Sequence, residues 1–224
     1  MKTTTIVIPA FNEEKTIRKI IKSVARYGDD VLVVCAKKSS DDTKKIAESM
    51  GVRVIMDNGR GKGDAIRVAI QKAKGDILVF FDSDGSHIAA DIPKVLAPIK
   101  KGSADMVIAS RMLGGSEELH GSFSKFFRLF MSMCIAQIIN WRFGKGIADT
   151  QNGFRAIKRS VARDIDLKAD SFDIETEMVM KCYKKKYEVV EVPSMELARE
   201  CGESGINLWT MGWIYVWRVF VNLF

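Results

Sequence analysis

Apolar residues along this chain fall into two alternating rhythms. Thr5-Ile6-Val7-Ile8 reads as a buried strand, and Ile17, Ile20, Ile21 and Val24 then recur at i, i+3, i+4, i+7, one face of a helix closed by Gly28. Val31 to Val34 predicts a second strand, Asp41 to Met50 a helix stopped by Gly51, and Val52 to Met56 a third strand. Ile66, Ala69, Ile70 and Ala73 mark another amphipathic helix, stopped by Gly75, and the runs Ile77 to Phe81 and Met106 to Ala109 complete five strands. Strands that are apolar throughout, alternating with helices, predict an α/β fold with a mostly parallel sheet covered on both faces.

The second half changes character. Gly114 to Gly121 is a polar loop, the stretch from Phe123 to Phe143 is rich in aromatics, and a loop surrounds Asp149 to Gly153. A strand-like Phe154 to Ile157, a helix near Ile174 to Lys184 and an alternating Tyr187 to Val192 follow. No linker, repeat or low-complexity segment interrupts the chain, which reads as one domain over 1–205 with an extension over 206–224. Fourteen of the nineteen residues from Ile206 to Phe224 are apolar, and Trp209, Trp213 and Trp217 share one helical face. Tryptophan concentrates where apolar and polar phases meet. A helix of that length reaches about 28 Å, close to the ~30 Å hydrocarbon core. Arg218 in its middle argues against a clean span, so the segment is read as a helix in the membrane interface, with one packed on the protein's own core and a C-terminal spanning anchor as the alternatives.

The strand Ile77 to Phe81 ends in Asp82-Ser83-Asp84, followed at once by Gly85. Two carboxylates at the carboxyl edge of a parallel sheet lie where open α/β folds bind ligands. Hard oxygen ligands of this kind suit Mg²⁺ or Mn²⁺ completed by substrate phosphates; the plain alternative is a solvated turn. The 224 residues carry a net charge of +7, which favours anionic partners. Basic residues are spread over ordinary amphipathic helices without a nucleic-acid motif, so no nucleic-acid partner is expected. Cys35, Cys134, Cys182 and Cys201 have no CxxC spacing, consistent with a reducing compartment, and Met1-Lys2-Thr3-Thr4 runs straight into the first strand without a signal-peptide pattern. His87 and His120 lack a nearby Cys or His and are read as structural.

Other motifs join the acid pair. Ile8-Pro9-Ala10-Phe11-Asn12-Glu13-Glu14 closes the first strand, where Asn12 can cap the following helix and Glu13 and Glu14 suit its positive end. Asp57 precedes Asn58-Gly59-Arg60-Gly61-Lys62-Gly63, a loop whose amides and lysine can approach a diphosphate. Ser110-Arg111, Asp149-Thr150-Gln151-Asn152-Gly153-Phe154-Arg155, Phe172-Asp173-Ile174-Glu175 and Arg199-Glu200-Cys201-Gly202-Glu203-Ser204 follow in order. Together they resemble glycosyltransferase family 2, the GT-A fold enzymes, and within it the polyprenyl- and dolichyl-phosphate glucosyl- and mannosyltransferases.

That resemblance implies a metal-dependent, inverting transfer from a nucleotide sugar to dolichyl or polyprenyl monophosphate at the cytoplasmic face of a membrane. It implies Mg²⁺ or Mn²⁺ on Asp82 and Asp84, and a donor site of Pro9, Ala10, Asn12, Glu13, Asp57, Lys62, Asp82, Ser83, Arg199 and Ser204. Lys62 and Arg199 would assist in neutralising the leaving diphosphate. The acceptor oxygen, with a pKa near 6 by analogy with phosphorylated side chains, is already anionic and needs cations rather than a base. Arg111 and Gln151 are candidates to hold it, as are Arg128 and Ser132, spaced i, i+4 on one helical face beside lipid-seeking Phe126, Phe127, Phe130 and Met131. Asp149 is read as orienting the acceptor loop rather than abstracting a proton. Asp84, Asp149, Arg111 and Arg128 thus form the expected catalytic group. The chain departs from the family at the end of the second strand, where Val34-Cys35-Ala36-Lys37-Lys38 lacks the usual base-reading acid. Ser86 replaces the glutamine of mannose synthases, which favours a UDP-sugar over GDP-mannose. A soluble enzyme with a hydroxyl acceptor is the alternative; it requires a carboxylate base.

Overall fold

The computed structural model describes residues 2–117, 123–200 and 208–223. Seven strands form one sheet: β1 (Thr4–Ala10), β2 (Asp30–Cys35), β3 (Arg53–Met56), β4 (Ile77–Phe80), β5 (Met106–Ser110), β6 (Arg155–Lys158) and β7 (Val189–Pro193). Their order is β3-β2-β1-β4-β6-β5-β7, parallel throughout except β6, which runs antiparallel to both neighbours. Alternation along each strand divides the core into two layers. Ile6, Ile8, Val31, Val33, Ile77 and Val79 face α1 (Ile17–Val24), α2 (Thr43–Ser49) and α4 (Ile92–Lys101). Val7, Leu32, Leu78, Phe80 and Met106 face α3 (Lys62–Lys72), α6 (Phe123–Phe143), α7 (Arg159–Asp164), α8 (Ile174–Lys184) and α9 (Leu208–Leu223). A four-residue α5 (Arg111–Gly114) leaves β5.

The predicted alternation thus forms the expected GT-A type of sheet, and three helices beyond it. In α4, Ile92, Val95, Leu96 and Ile99 are buried at helical spacing, a periodicity masked in sequence by Pro93 and Pro98. Pro93 lies in the first turn, where no intrahelical donor is required. The other unforeseen helices are short, α5 with four residues and α7 with six.

The cap expected at Asn12 does not form: α1 begins at Ile17 behind Thr16, and Asn12 sits at φ 54°. Its side-chain oxygen instead accepts from the Ser39 hydroxyl and the Ser40 amide, bracing the β1–α1 turn against the β2–α2 turn.

One face of α9 is packed on the domain. Tyr215 and Val219 belong to the core, and Arg218 reaches α8. The opposite face presents Trp213, 77% exposed, and Trp217, 64% exposed. Among the described residues no helix is long and apolar enough to cross a membrane.

Candidate active site

The strand order reverses between the paired strands β1 and β4, and a crevice lies at their carboxyl ends. A cavity of about 390 Å³ occupies that crevice. Pro9, Ala10 and Glu13 line it from the end of β1, Asp57 and Lys62 from the β3–α3 connection, and Asp82, Ser83 and Asp84 from the end of β4, with Arg199 above. Of the donor residues proposed from sequence, Asn12 is not in its wall, and Ser204 lies outside the described residues.

Each acid of the Asp82-Ser83-Asp84 triplet is anchored differently. Lys62 Nζ lies 2.8 Å from Asp82 Oδ1 and 2.9 Å from Glu175 Oε1 at the start of α8. Apart from that ion pair neither oxygen of the buried Glu175 has a hydrogen-bond partner. Burial of Asp82 opposes its charge, but Lys62 and His87 outweigh it and hold the carboxyl far below the usual carboxylate range. Burial likewise opposes charge on Lys62, and Asp82 with Glu175 pushes its pKa well up. Asp84 Oδ1 accepts from the Ser86 amide and hydroxyl at 3.0 and 2.7 Å, and its Oδ2 lies 3.2 Å from Arg199. Ser83 donates to the Pro9 carbonyl at 2.9 Å, tying β4's end to β1's. Burial raises the Glu13 carboxyl above its ordinary pKa.

The two cations expected for a diphosphate therefore sit on the acid pair. Asp82, Asp84 and Glu175 carry three negative charges against the two positive charges of Lys62 and Arg199. A dianionic group entering this field needs a further cation, and two carboxylate ligands are what Mg²⁺ or Mn²⁺ takes when phosphate oxygens and water complete its shell. No third His, Cys, Asp or Glu joins a ligand cluster among the described residues. The donor set is all oxygen, and it fits such an ion.

The glycine-rich loop works differently from the expectation. Three of its amides are already bonded within the protein: Asn58 N to Asp64, Gly59 N to Asp57, and Gly63 N to the Asp170 carbonyl. A side chain at Gly61 or Gly63 would strike the backbone of residues 169–170, so these glycines serve close packing of α3 on that segment. Arg60 and Lys62 both line the cavity, but Arg60 is paired with Asp64 while Lys62 reaches Asp82. Asp57, just after β3, lies against the end of β2, its amide donating to the Cys35 carbonyl. It is buried, its Oδ1 accepts from the Lys37 and Gly59 amides at 2.7 and 2.8 Å, and it faces the same cavity as Ala36 and Lys38.

A second cluster lies beyond the acids. Arg111 grips Asp149 through two bonds, Nε to Oδ2 at 2.8 Å and a terminal nitrogen to Oδ1 at 2.9 Å, and lies 3.5 Å from Glu196. Arg111 therefore has its charge compensated, contrary to its expected role as an available cation. Asp149 is fully buried and its Oδ1 also accepts the Gln151 and Asn152 amides, so it shapes the loop. Glu191 of β7 holds the other side of that loop through the Ala148 and Asp149 amides. Arg155, 1% exposed, ties the Asn152 and Glu175 carbonyls together. A Cβ at Gly153 would overlap the Asp82 carboxylate and Lys62, so this loop rests directly on the acid site. Arg128 of α6 is half-buried and forms no ion pair among the described residues. Burial, then Arg111 and Arg199, depress its pKa, which places it near both. Ser132, one turn on, is buried with an unpartnered hydroxyl.

Sequence reasoning left His87 apart, yet its Nε2 lies 3.4 Å from Asp82 Oδ2, wedged between Phe81 and Phe154. No spacing rule announces that contact. His120 lies outside the described residues.

A family model for glycosyl transferase family 2 matches residues 5–166. The chain belongs to that family. It is 30% identical over 98% of its length to the low-salt glycan biosynthesis hexosyltransferase Agl6 of Haloferax volcanii, and spans 54% of that relative. It is 28% identical to a dolichyl-phosphate hexose transferase of the same organism, covering 84% of this chain and 80% of the relative. The glucosyl-3-phosphoglycerate synthase of Mycobacterium tuberculosis, solved with Mn²⁺, UDP and phosphoglyceric acid, superposes with a TM-score of 0.76 at 21% identity, over 99% of this chain and 78% of that one. That likeness establishes the GT-A fold of this family-2 chain.

Two outcomes test the geometry. Arg111 overcomes the burial of Asp149 and brings its carboxyl down to about 2. The stabilisation is present above the ordinary carboxylate value and disappears as pH falls through the folded value, a change of roughly 2 kcal/mol. Asp149→Asn should cost about 3–5 kcal/mol at neutral pH by stranding Arg111. In urea titrations the gap from wild type should narrow towards pH 2; a gap independent of pH would contradict the pairing. Gly153→Ala should lower stability by about 1–3 kcal/mol through overpacking against Asp82 and Lys62. An unchanged denaturation midpoint would show that the loop does not rest there.

Proposed function

We propose that this chain transfers a sugar from a nucleotide sugar, a UDP-sugar in preference to GDP-mannose, to the phosphate of dolichyl or another polyprenyl monophosphate, with inversion. The observation that carries the reading is Arg128, a half-buried cation without an ion pair among the described residues beside the acid site, next to the unpartnered Ser132 hydroxyl. An anion is the natural occupant of such a place. The carboxylates around it, Asp149 and Glu196, are already bonded to Arg111 and Ser116, which disfavours a hydroxyl acceptor needing a free base. Relatives named for dolichyl-phosphate sugar transfer, including a UDP-N-acetylglucosamine–dolichyl-phosphate N-acetylglucosaminyltransferase of Methanococcus voltae, support the same chemistry.

In this reading Asp57 accepts a base N–H at the far end of the cavity, in place of an acid after β2. Asp82 and Asp84 would hold Mg²⁺ or Mn²⁺, which neutralises charge on the departing diphosphate. Lys62 and Arg199 keep the two carboxylates in place. Arg128 and Ser132 hold the lipid phosphate, one of whose oxygens forms the new bond to the anomeric carbon as the bond to the nucleoside diphosphate breaks. The phosphate has already lost its proton at neutral pH, so no base takes part. Inversion follows from a single displacement.

The lipid tail has a surface to follow. α6 exposes Phe126, Phe127 and Phe130, and α9 exposes Trp213, Trp217 and Phe220. Helices with one docked face and one aromatic face adsorb to the membrane interface. We place this one peripherally on the cytoplasmic leaflet, where nucleotide sugars are supplied.

Asp84→Ala should abolish Mn²⁺-dependent transfer of radiolabelled sugar to polyprenyl phosphate; undiminished transfer would remove the metal role of the acid pair. Arg128→Ala should lower kcat/KM for the lipid phosphate about ten- to a hundredfold, the loss of one charge-assisted hydrogen bond, with little change in donor KM. A rise confined to the donor KM would move Arg128 to the nucleotide side. Assays with UDP-glucose, UDP-N-acetylglucosamine and GDP-mannose against one lipid phosphate decide the donor.

A further inference from the structure

The contact between α9 and α8 is built of polar groups to a degree that packing alone does not require. Arg218, in the middle of α9, places its guanidinium 2.6 Å from Asp173 Oδ2 and 3.2 Å from Glu177 Oε1. Both carboxylates are buried, and the Arg218 side chain is 17% exposed. Asp173 occupies the N-cap position of α8, where a carboxylate ordinarily accepts an amide of the first turn. Here its side chain makes no such bond, and Oδ1 has no partner at all. The cap is given up for Arg218. One turn earlier on α9, Tyr215 donates its hydroxyl to the Phe172 carbonyl at 2.8 Å.

Both acids lead to Lys62 by separate routes. Asp173 is flanked by Phe172 and Glu175: the Phe172 ring lines the cavity with Lys62 Nζ 5.7 Å from its centroid, and Glu175 pairs with Lys62 at 2.9 Å. Glu177 accepts the Lys168 and Ala169 amides through Oε2 at 3.0 and 2.7 Å. That segment in turn receives the Gly63 amide at the Asp170 carbonyl, and presses on Gly61 and Gly63 either side of Lys62. Lys62 then holds Asp82.

We infer that Arg218 and Tyr215 are positioning residues for donor binding. They hold the first turn of α8 and the segment 168–170 so that Lys62 and Asp82 meet the diphosphate in register. The inference rests on the nucleotide-sugar reading of the cavity and extends it to a helix that lies outside the cavity wall. It also makes donor affinity depend on how α9 is seated, although the outer face of the same helix is the one proposed to meet lipid.

The test uses the full chain and UDP with Mn²⁺, read by isothermal titration calorimetry, with donor KM and kcat measured beside it. Arg218→Met should raise the UDP Kd and the donor KM about tenfold, while the KM for lipid phosphate changes less than about twofold. Arg218→Lys, which keeps one charge between the two acids, should recover most of the affinity. Because Arg218→Met strands the buried Asp173, while Glu177 keeps Lys181, and can fail to fold, Tyr215→Phe gives a second reading: it removes one hydroxyl and should raise the UDP Kd about threefold. Hydrogen exchange at the amides of Ile174 and Glu177 should quicken in both. Folded variants that bind UDP as wild type does overturn the positioning role and leave the cavity's reading intact. Wild-type protein that binds no UDP overturns both.

Discussion

Lys62 is held between two carboxylates from distant parts of the chain, Asp82 at the end of β4 and Glu175 at the start of α8, and the rest of the site is arranged around that bridge. A buried ammonium group requires such partners, because an unpaired charge in this environment would cost several kcal/mol. The bridge pulls α8 against the sheet edge and sets the wall of the cavity. Gly153 is bare because the loop that carries it lies on top of the pair.

Charge compensation recurs one layer out. Arg111 is closed by Asp149 and Arg218 by Asp173 and Glu177, while the buried Arg155 donates to backbone carbonyls. Buried pairs of this kind contribute little net stability, since desolvation offsets attraction. What they supply is position: each fixes a loop or a helix end whose backbone would otherwise have several arrangements. Against that background Arg128 stands out, a half-buried guanidinium with neither an ion pair nor a carbonyl acceptor among the described residues.

Parts of this were legible in the chain itself. Strand ends marked by Pro9-Ala10 and by Asp82-Ser83-Asp84 were visible because a buried strand can carry charge only where it leaves the core, so an apolar run that stops on a charge marks the sheet edge. The acid at Asp57 was visible only as a neighbour of glycines. The link from His87 to Asp82, and the use of Asp173 on Arg218 instead of as a cap, were not legible. Local rules treat a carboxylate before a helix as a cap because the amides are always nearby. A cation arriving from a helix some forty residues later in the chain outbids them only once the fold has brought it there. The glycine-rich loop misled for a related reason, since a phosphate cradle and a close-packed turn demand the same absence of Cβ.

The order of strands and helices, the two-sided burial of the sheet and the acids at the edge of β4 follow from the sequence alone. Periodicity and the termination of apolar runs are local properties, and each residue's neighbours in the chain suffice to express them. Which charges compensate which was decided by tertiary structure. Lys62, Arg111 and Arg218 look alike as basic residues in a sequence, and whether each is available to a substrate depends on carboxylates roughly twenty to over a hundred residues away. The double character of the last helix belongs there too. Its tryptophans pointed to an interface, but only packing against α8 shows that Arg218 faces inwards while Trp213 and Trp217 face out.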